Sequence, residues 1–239
     1  MAYAAMETVL KKGVDIVCLQ EPARGRAGDL VSHPGFHIFK SQPQEGRLGR
    51  VWTAVRLDAP VIVEERSDLG CTPDVQTFDV YEKKKRNGEW RKGRRTRLVN
   101  VYDQNIRQEG QPRRAIDEVN WATVIRGRTI LCGDFNAHSP VWGCRRRQNH
   151  TTLERLIDEF NLNISNIEQP TWIGDGTKLP SNIDLTLSTG HIVADWAVME
   201  DDEDGTLSDH EILIWDAPSE DEENSGGAHR SATFTKVTG

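Results

Sequence analysis

The sequence predicts a mixed α/β fold in which antiparallel hairpins build sheets and amphipathic helices pack outside them. Three features predict it. Residues 151–160 place Leu153, Leu156, Ile157 and Phe160 at i, i+3, i+4 and i+7, an apolar helical stripe. The runs "VQTFDVYE" (75–82) and "RTRLVNVY" (95–102) flank Asn87-Gly88, a hairpin turn signal. Short apolar runs such as "VDIVCLQ", "TILCGD" and "EILIWD" have strand length and end in polar residues.

Taken in order, residues 3–12 predict a helix closed by Gly13, followed by a strand over 14–20. Residues 22–50 are rich in Gly, Pro and Arg and read as a long loop with short strands. After the hairpin, Pro112 in a first turn and Gly127 at the end predict a helix, with Ile116, Val119 and Thr123 on one face. "TILCGD" then predicts a buried strand ending at Asp134. Thr151 and Glu154 have capping-box spacing at the start of the next helix. "IDLTLS" (183–188), "HIVADWAVM" (191–199) and "EILIWD" (211–216) predict three closing strands. Residues 1–216 make one domain, and the Ser-, Gly-, Glu- and Asp-rich residues 217–239 predict a disordered acidic tail.

The chain has 239 residues, 36% of them hydrophobic, which is enough for a core and excludes wholesale disorder. No apolar run approaches the roughly 18 residues of a membrane span, and the N-terminus lacks a signal-peptide pattern, so a soluble chain without membrane partners is expected. The net charge of -7 is polarised: residues 200–223 hold twelve acidic side chains and no Lys or Arg, leaving +5 for the remainder. Lys83 to Arg97 hold nine basic residues and one acidic one, which suits either a solvated hairpin tip or a phosphate-binding surface. Cys18, Cys71, Cys132 and Cys144 form no CxxC pair, and Cys18 and Cys132 lie in apolar runs, so reduced, buried thiols are expected rather than zinc or disulfides.

Chemistry-bearing residues gather at strand ends. Glu21 follows "VCLQ", Asp134 and Asn136 follow "TILCG", Asp184 begins "DLTLS", and Asp209-His210 precede "EILIW". Each alone has a bland reading as a turn former or a buried acceptor. Together they offer an Asp–His pair, a hard oxygen ligand of the kind Mg²⁺ takes, and a carboxylate to orient water, which makes a metal-assisted phosphodiester hydrolase. No GxSxG elbow, P-loop or HExxH is present.

At these residues "VDIVCLQEP", "LVNVY", "LCGDFNAHSPVWG", "SNIDLTLS" and "LSDHEIL" resemble the ordered motifs of the endonuclease/exonuclease/phosphatase superfamily. The lineage they look most like is the apurinic-like endonuclease domain of non-LTR retrotransposons, over roughly residues 5–216. The resemblance implies a four-layer α/β sandwich, two mixed sheets face to face with helices outside, and hydrolysis of phosphodiesters with Mg²⁺, for which Mn²⁺ substitutes. It implies Glu21 as metal ligand, with Asp209 contributing. Tyr102 would contact the phosphate or the leaving oxygen, Asp134 activate water with Asn136 beside it, and Asp184 partner the catalytic His210. Ser181 falls near the expected scissile phosphate, and Arg145, Lys84 and Arg94 are expected to bind substrate phosphates. His138 is expected only to shape its loop, and Trp142 and Trp172 either touch the nucleic acid or pack in the core.

Two departures stand out. Relatives open with a strand carrying an Asn in a Gln-x-Asn motif, whereas this chain opens in what should be the following helix, so an inner strand is expected to be missing. "VYDQN" also lacks the Pro-rich turn often found after the Tyr. The reading these features favour is a nuclear, double-stranded-DNA-nicking endonuclease from a longer retrotransposon polyprotein that includes a reverse transcriptase. The alternatives are a degenerate, inactive fragment and a same-fold phosphatase or phosphodiesterase acting on another substrate.

Overall fold

Strand alternation decides the architecture. In β1 (Ile16–Gln20) every residue is buried: Ile16 and Cys18 join one apolar cluster, Val17 and Leu19 another. A strand buried on both faces needs a layer on each side. The computed structural model describes residues 2–22, 32–44, 46–108, 111–166, 169–174, 179–199, 208–219 and 230–238.

The first sheet joins β1 to β2 (Phe36–Lys40), β3 (Val51–Arg56), β12 (Ala194–Val198), β13 (Leu213–Pro218) and β14 (Arg230–Thr238), in the order β12-β13-β14-β1-β3-β2. The second joins β4 (Val61–Glu65), β5 (Val75–Arg86), β6 (Glu89–Tyr102), β9 (Thr129–Asp134), β10 (Leu162–Ile164) and β11 (Asp184–Thr189), in the order β10-β11-β9-β6-β5-β4. Each sheet is antiparallel except at one central pair, β14–β1 in the first and β6–β9 in the second. Ile16 and Cys18 meet Phe78, Leu98, Ile130, Cys132, Leu213 and Trp215 in the core between the sheets. Helix α1 (Ala2–Lys11) lays Ala5, Met6 and Val9 on the outer face of the first sheet, against Val17, Leu19 and Trp52. Helices α2 (Trp121–Val124) and α3 (Thr151–Phe160) cover the outer face of the second, against Val99, Leu131 and Leu185. The result is the four-layer α/β sandwich. All four cysteines are free, and Cys18 and Cys132 are buried.

The main hairpin turns at Asn87 (φ 52°) and Gly88 (φ 84°), both left-handed as a tight hairpin turn requires. Its strands run to 12 and 14 residues, well past the expected lengths. Other expectations need correction. The helix predicted over 112–127 is instead a short hairpin, β7 (Asn105–Gln108) with β8 (Gln111–Arg114), then a 3-10 turn over Ala115–Glu118, then the single turn of α2. Pro112 sits in a strand, and the Asp103 carboxylate captures the Ile116 N–H at 3.1 Å, which commits that amide outside a helical ladder. Helix α3 has His150, not Thr151, at its N-cap; the Glu154 carboxylate accepts from the Ser139 hydroxyl and lies 3.0 Å from His150 Nδ1.

The predicted disordered tail also needs correction. Residues 220–229 lie outside the described residues, but Arg230–Thr238 forms β14, parallel to β1 and antiparallel to β13. Ala232 and Thr235 are buried, and the Thr235 hydroxyl donates to the Leu213 carbonyl. The gap expected at an inner strand is therefore filled within the first sheet. β14 contains no Asn, so it does not bring the Gln-x-Asn motif. Ending the chain after Ser219 removes the strand between β13 and β1 and leaves two unpaired inner edges. Loss of a cooperative thermal transition in circular dichroism is expected for that truncation; a transition at the full-length temperature would show that β14 is dispensable.

Candidate active site

Along the inner faces the residues change from apolar to polar toward one end of the sandwich. In β6 the inward positions run Leu98, Asn100, Tyr102; in β9 they run Ile130, Cys132, Asp134. Gln20 donates to Asn100 Oδ1 at 2.6 Å, and Asn100 donates to the Trp52 carbonyl at 2.8 Å and to Thr53 Oγ1 at 3.2 Å. Thr53 in turn donates to Gln76 Oε1 at 3.0 Å. These groups are buried and mutually satisfied, which is what a polar layer between two sheets requires.

Beyond that layer, register sets a row. Tyr102 pairs with Asp134 in β6–β9, and Asp134 pairs with Asp184 in β9–β11. All three are buried. Just before Asp134, Gly133 has φ 151°, and a Cβ there would lie 1.8 Å from the Val101 carbonyl oxygen, so no side chain fits between these strands. His210, just before β13, closes the row from the other sheet: its Nδ1 lies 2.9 and 3.1 Å from the two Asp184 oxygens. An ionised carboxylate only accepts, so Nδ1 is the ring nitrogen that donates to it, which leaves Nε2 as the other ring nitrogen. Ligand atoms of Asp134, Asp184 and His210 all lie within 4.8 Å of one another.

Glu21 follows β1 with φ 50°, rare for a residue other than Gly or Asn, and its N–H donates to the Arg50 carbonyl at 2.8 Å. Arg50 forks onto buried Asp74, Nε to Oδ1 at 2.5 Å and Nη2 to Oδ2 at 2.7 Å, and lies 4.9 Å from the Tyr102 ring centre. The Asp74 carbonyl accepts the Tyr102 N–H at 2.8 Å. Arg50 and Asp74 thus tie Glu21 on the first sheet to Tyr102 on the second. Burial, followed by the negative charge of Glu21 and of Asp134, pushes the Tyr102 phenol well above its ordinary value, so its proton stays on as a hydrogen-bond donor. Asn136 takes a left-handed φ of 46° and donates its N–H to Asp134 Oδ1 at 2.9 Å.

The remaining expected residues are placed as follows. Asp209 is exposed, and its Oδ2 accepts the Trp172 indole N–H at 2.9 Å, one residue away from the Asp–His pair. Ser181 and Arg145 line a cleft of about 620 Å³ with His138, Arg146 and Leu179. His138 also holds its loop through two backbone hydrogen bonds with Gln148, at 2.8 and 2.9 Å. Trp142 is buried, donating to the Ala137 carbonyl at 3.2 Å, and so belongs to the core. Lys84 and Arg94 are not brought to the site. Arg94 lies eight residues up β6 from Tyr102, about 26 Å at the usual strand rise, and Lys84 pairs with Arg91 farther still.

Two positioning residues escaped the sequence reading. Thr171 Oγ1 accepts the N–H groups of Ile183 and Asp184, at 3.1 and 3.0 Å, and its carbonyl accepts the Glu211 N–H at 2.8 Å. It therefore holds both flanks of the Asp184–His210 pair. Asn166 donates to the Asp184 carbonyl at 2.8 Å and accepts the Thr186 N–H at 2.8 Å. Neither carries a sequence signal beyond a loop polar residue.

Two stacked sheets with an Asp–His pair, a buried Asp134 and a Glu21 set beside Tyr102 agree with the fold that the motifs imply. Residues 96–214 match a family model described as endonuclease-reverse transcriptase. A search of curated proteins gives no match. Among solved structures, the chain is similar to the endonuclease domain of TRAS1, a telomere-specific non-LTR retrotransposon, at 24% identity and TM-score 0.64, covering 90% of this chain and 89% of that one. It is also similar to the catalytic domain of Xenopus laevis APE2 (15% identity, TM-score 0.57, covering 97% and 87%). A third likeness is an endonuclease/exonuclease/phosphatase family protein from Leptotrichia buccalis (13%, TM-score 0.53, covering 87% and 88%). The chain has the endonuclease/exonuclease/phosphatase fold, and the family match supports a nuclease or phosphodiesterase domain. No helix among the described residues is long and apolar enough to cross a membrane.

Replacing Thr171 by Val leaves two buried amides without their acceptor, which is expected to cost about 1–3 kcal/mol for each group left unsatisfied. Thr171→Ser keeps the acceptor. Urea unfolding of the two variants checks this: equal midpoints would remove Thr171 from its positioning role.

Proposed function

We propose that the chain is a divalent-metal-dependent endonuclease that nicks double-stranded DNA, as the target-cutting part of a non-LTR retrotransposon protein that also carries a reverse transcriptase. The observation that carries the reading is the single row Tyr102–Asp134–Asp184 closed by His210. The donor set suits a hard cation: Glu21 and Asp134 both offer carboxylate oxygens near Tyr102, whose phenol is pushed up first by burial and then by their negative charge. Glu21 would hold Mg²⁺ or Mn²⁺, and Asp209, whose Oδ2 accepts the Trp172 indole N–H, would contribute to it. When bound, the ion neutralises phosphate charge as the transition state forms.

The chain's own groups supply the rest. Asp134, oriented by the Asn136 N–H, takes the proton of the attacking water. Asp184 fixes the His210 tautomer and favours its protonated form, so that Nε2 donates to a phosphate oxygen. Tyr102, kept protonated, donates to the phosphate or the departing oxygen. Ser181 and Arg145 line the adjoining cleft and would receive the flanking strand. Nuclear residence follows from this role.

The test is nicking of supercoiled plasmid. With Mg²⁺ the full chain is expected to nick; EDTA abolishes nicking, and His210→Ala and Asp134→Asn each lower the rate by about 10²–10⁴. Equal rates for all three proteins would sink the catalytic assignment. Turnover of a small soluble phosphodiester in preference to duplex DNA would move the substrate, and inactivity of the full chain with Mg²⁺ and Mn²⁺ would point to a degenerate domain.

A further inference from the structure

The basic segment that the catalytic site does not use forms a separate projection. β4 pairs with β5 only as far as Glu82, and β9 pairs with β6 only from Arg97. From Lys83 to Lys92 the hairpin continues as a two-stranded ribbon with no third strand among the described residues. Residues 83–95 hold eight basic side chains and one acidic one. Arg97 belongs elsewhere: it is buried and donates from Nε to Asp79 Oδ1 at 2.9 Å.

The cross-strand rows are unusual for a hairpin that only meets water. Lys84 stands opposite Arg91; Lys83 stands opposite Lys92, although these two ammonium groups have local partners, the Ala59 carbonyl at 2.7 Å and the Glu64 carboxylate. Like charges directly opposed destabilise a strand pair, and alternating signs would serve a solvated tip better. A polyanion relieves that repulsion. At the tip Trp90 is 65% exposed, with Lys85 opposite it and its Nζ 5.8 Å from the ring centre. The ion pairs at the projection, Lys84 to Glu82 at 3.6 Å, Arg91 to Glu89 at 3.3 Å and Lys92 to Glu64, are of the surface kind and worth little against a dense anion. A two-stranded ribbon fits the major groove of a duplex, and an exposed Trp among cations is a stacking platform for unpaired bases.

We infer that this ribbon is a second nucleic-acid contact, binding phosphodiester backbone at the pole of the sandwich opposite the catalytic row. Tyr102 lies twelve residues from Trp90 along β6, about 40 Å at the usual strand rise, so the ribbon engages a different stretch of nucleic acid from the one being cut. The inference does not require the chain to be an active hydrolase.

Fluorescence anisotropy in EDTA tests it on the full chain, with single-stranded DNA, duplex DNA and RNA probes of on the order of 30 nucleotides, over a range of salt. The variant Lys84→Gln/Lys85→Gln/Arg91→Gln is expected to bind about tenfold more weakly and to flatten the salt dependence by about two to three released counterions. Trp90→Ala, a single change at the tip, is expected to weaken single strands more than duplex. That preference identifies an unpaired strand as the occupant; equal loss identifies the duplex backbone. Thermal midpoints report that the variants are folded, and Trp90→Ala gives an independent reading should the triple change lose stability. Unchanged affinity and salt slope in both ribbon variants would overturn the inference. Loss confined to an Arg145→Gln/Arg147→Gln control, or binding of phosphatidylserine vesicles without nucleic acid, would do so equally.

Discussion

Tyr102, Asp134 and Asp184 stand in one row because β6, β9 and β11 are locked in a single register. A strand alternates its side chains with a period of two, so slipping β9 by one residue would turn Asp134 toward α3 and bring Leu131 into the inter-sheet layer. Two features hold the register. Ile130 and Cys132 are packed between the sheets while Leu131 packs under the helices, so both faces of β9 have a stake in the same alignment. Gly133 then lets β9 approach Val101 more closely than any side chain would allow. The chemistry at the row is inherited from that alignment.

The second sheet cannot complete the site alone. His210 and Glu21 arrive from the first sheet, and the two sheets are joined at this end by polar contacts: Gln20 to Asn100, Asn100 to Trp52, and the Arg50–Asp74 fork. A buried, satisfied polar layer fixes orientation more narrowly than an apolar one, because each unmade bond has a cost. The apolar clusters press the sheets together, and this polar layer sets how they sit where Glu21, Tyr102 and His210 must meet.

Much of this was legible in the residues themselves. Apolar runs ending in Glu21 and Asp134, and one preceded by Asp209-His210, marked one end of the sheets, because strand periodicity and strand termination are local properties. What stayed hidden was non-local. The helix expected over 112–127 has good helical spacing, yet Asp103 takes the Ile116 amide and Pro112 enters a strand. Thr171 and Asn166 look like ordinary loop residues until Asp184 is placed beside them. The basic run at 83–97 read as one feature, a solvated hairpin tip or a phosphate-binding surface, but pleating splits it: Arg97 turns into the sheet to meet Asp79, while Lys84 and Arg91 project on the ribbon. Trp142, a candidate for touching nucleic acid, spends its indole on the Ala137 carbonyl.

The position of β14 also governs the order in which the fold can close. Ile16 pairs with Phe234, so an inner contact of the first sheet links positions separated by 218 residues. The second sheet, whose strands all lie between residues 61 and 189, can assemble from comparatively near neighbours. The first sheet waits for nearly the whole chain, since β1, β3 and β2 have no bridge to β13 until residues 230–238 have been synthesised. Contacts of such separation slow folding, and the waiting edge of β1 is an open template for strand pairing. The half of the molecule that supplies Glu21 and His210 is therefore the last to be secured.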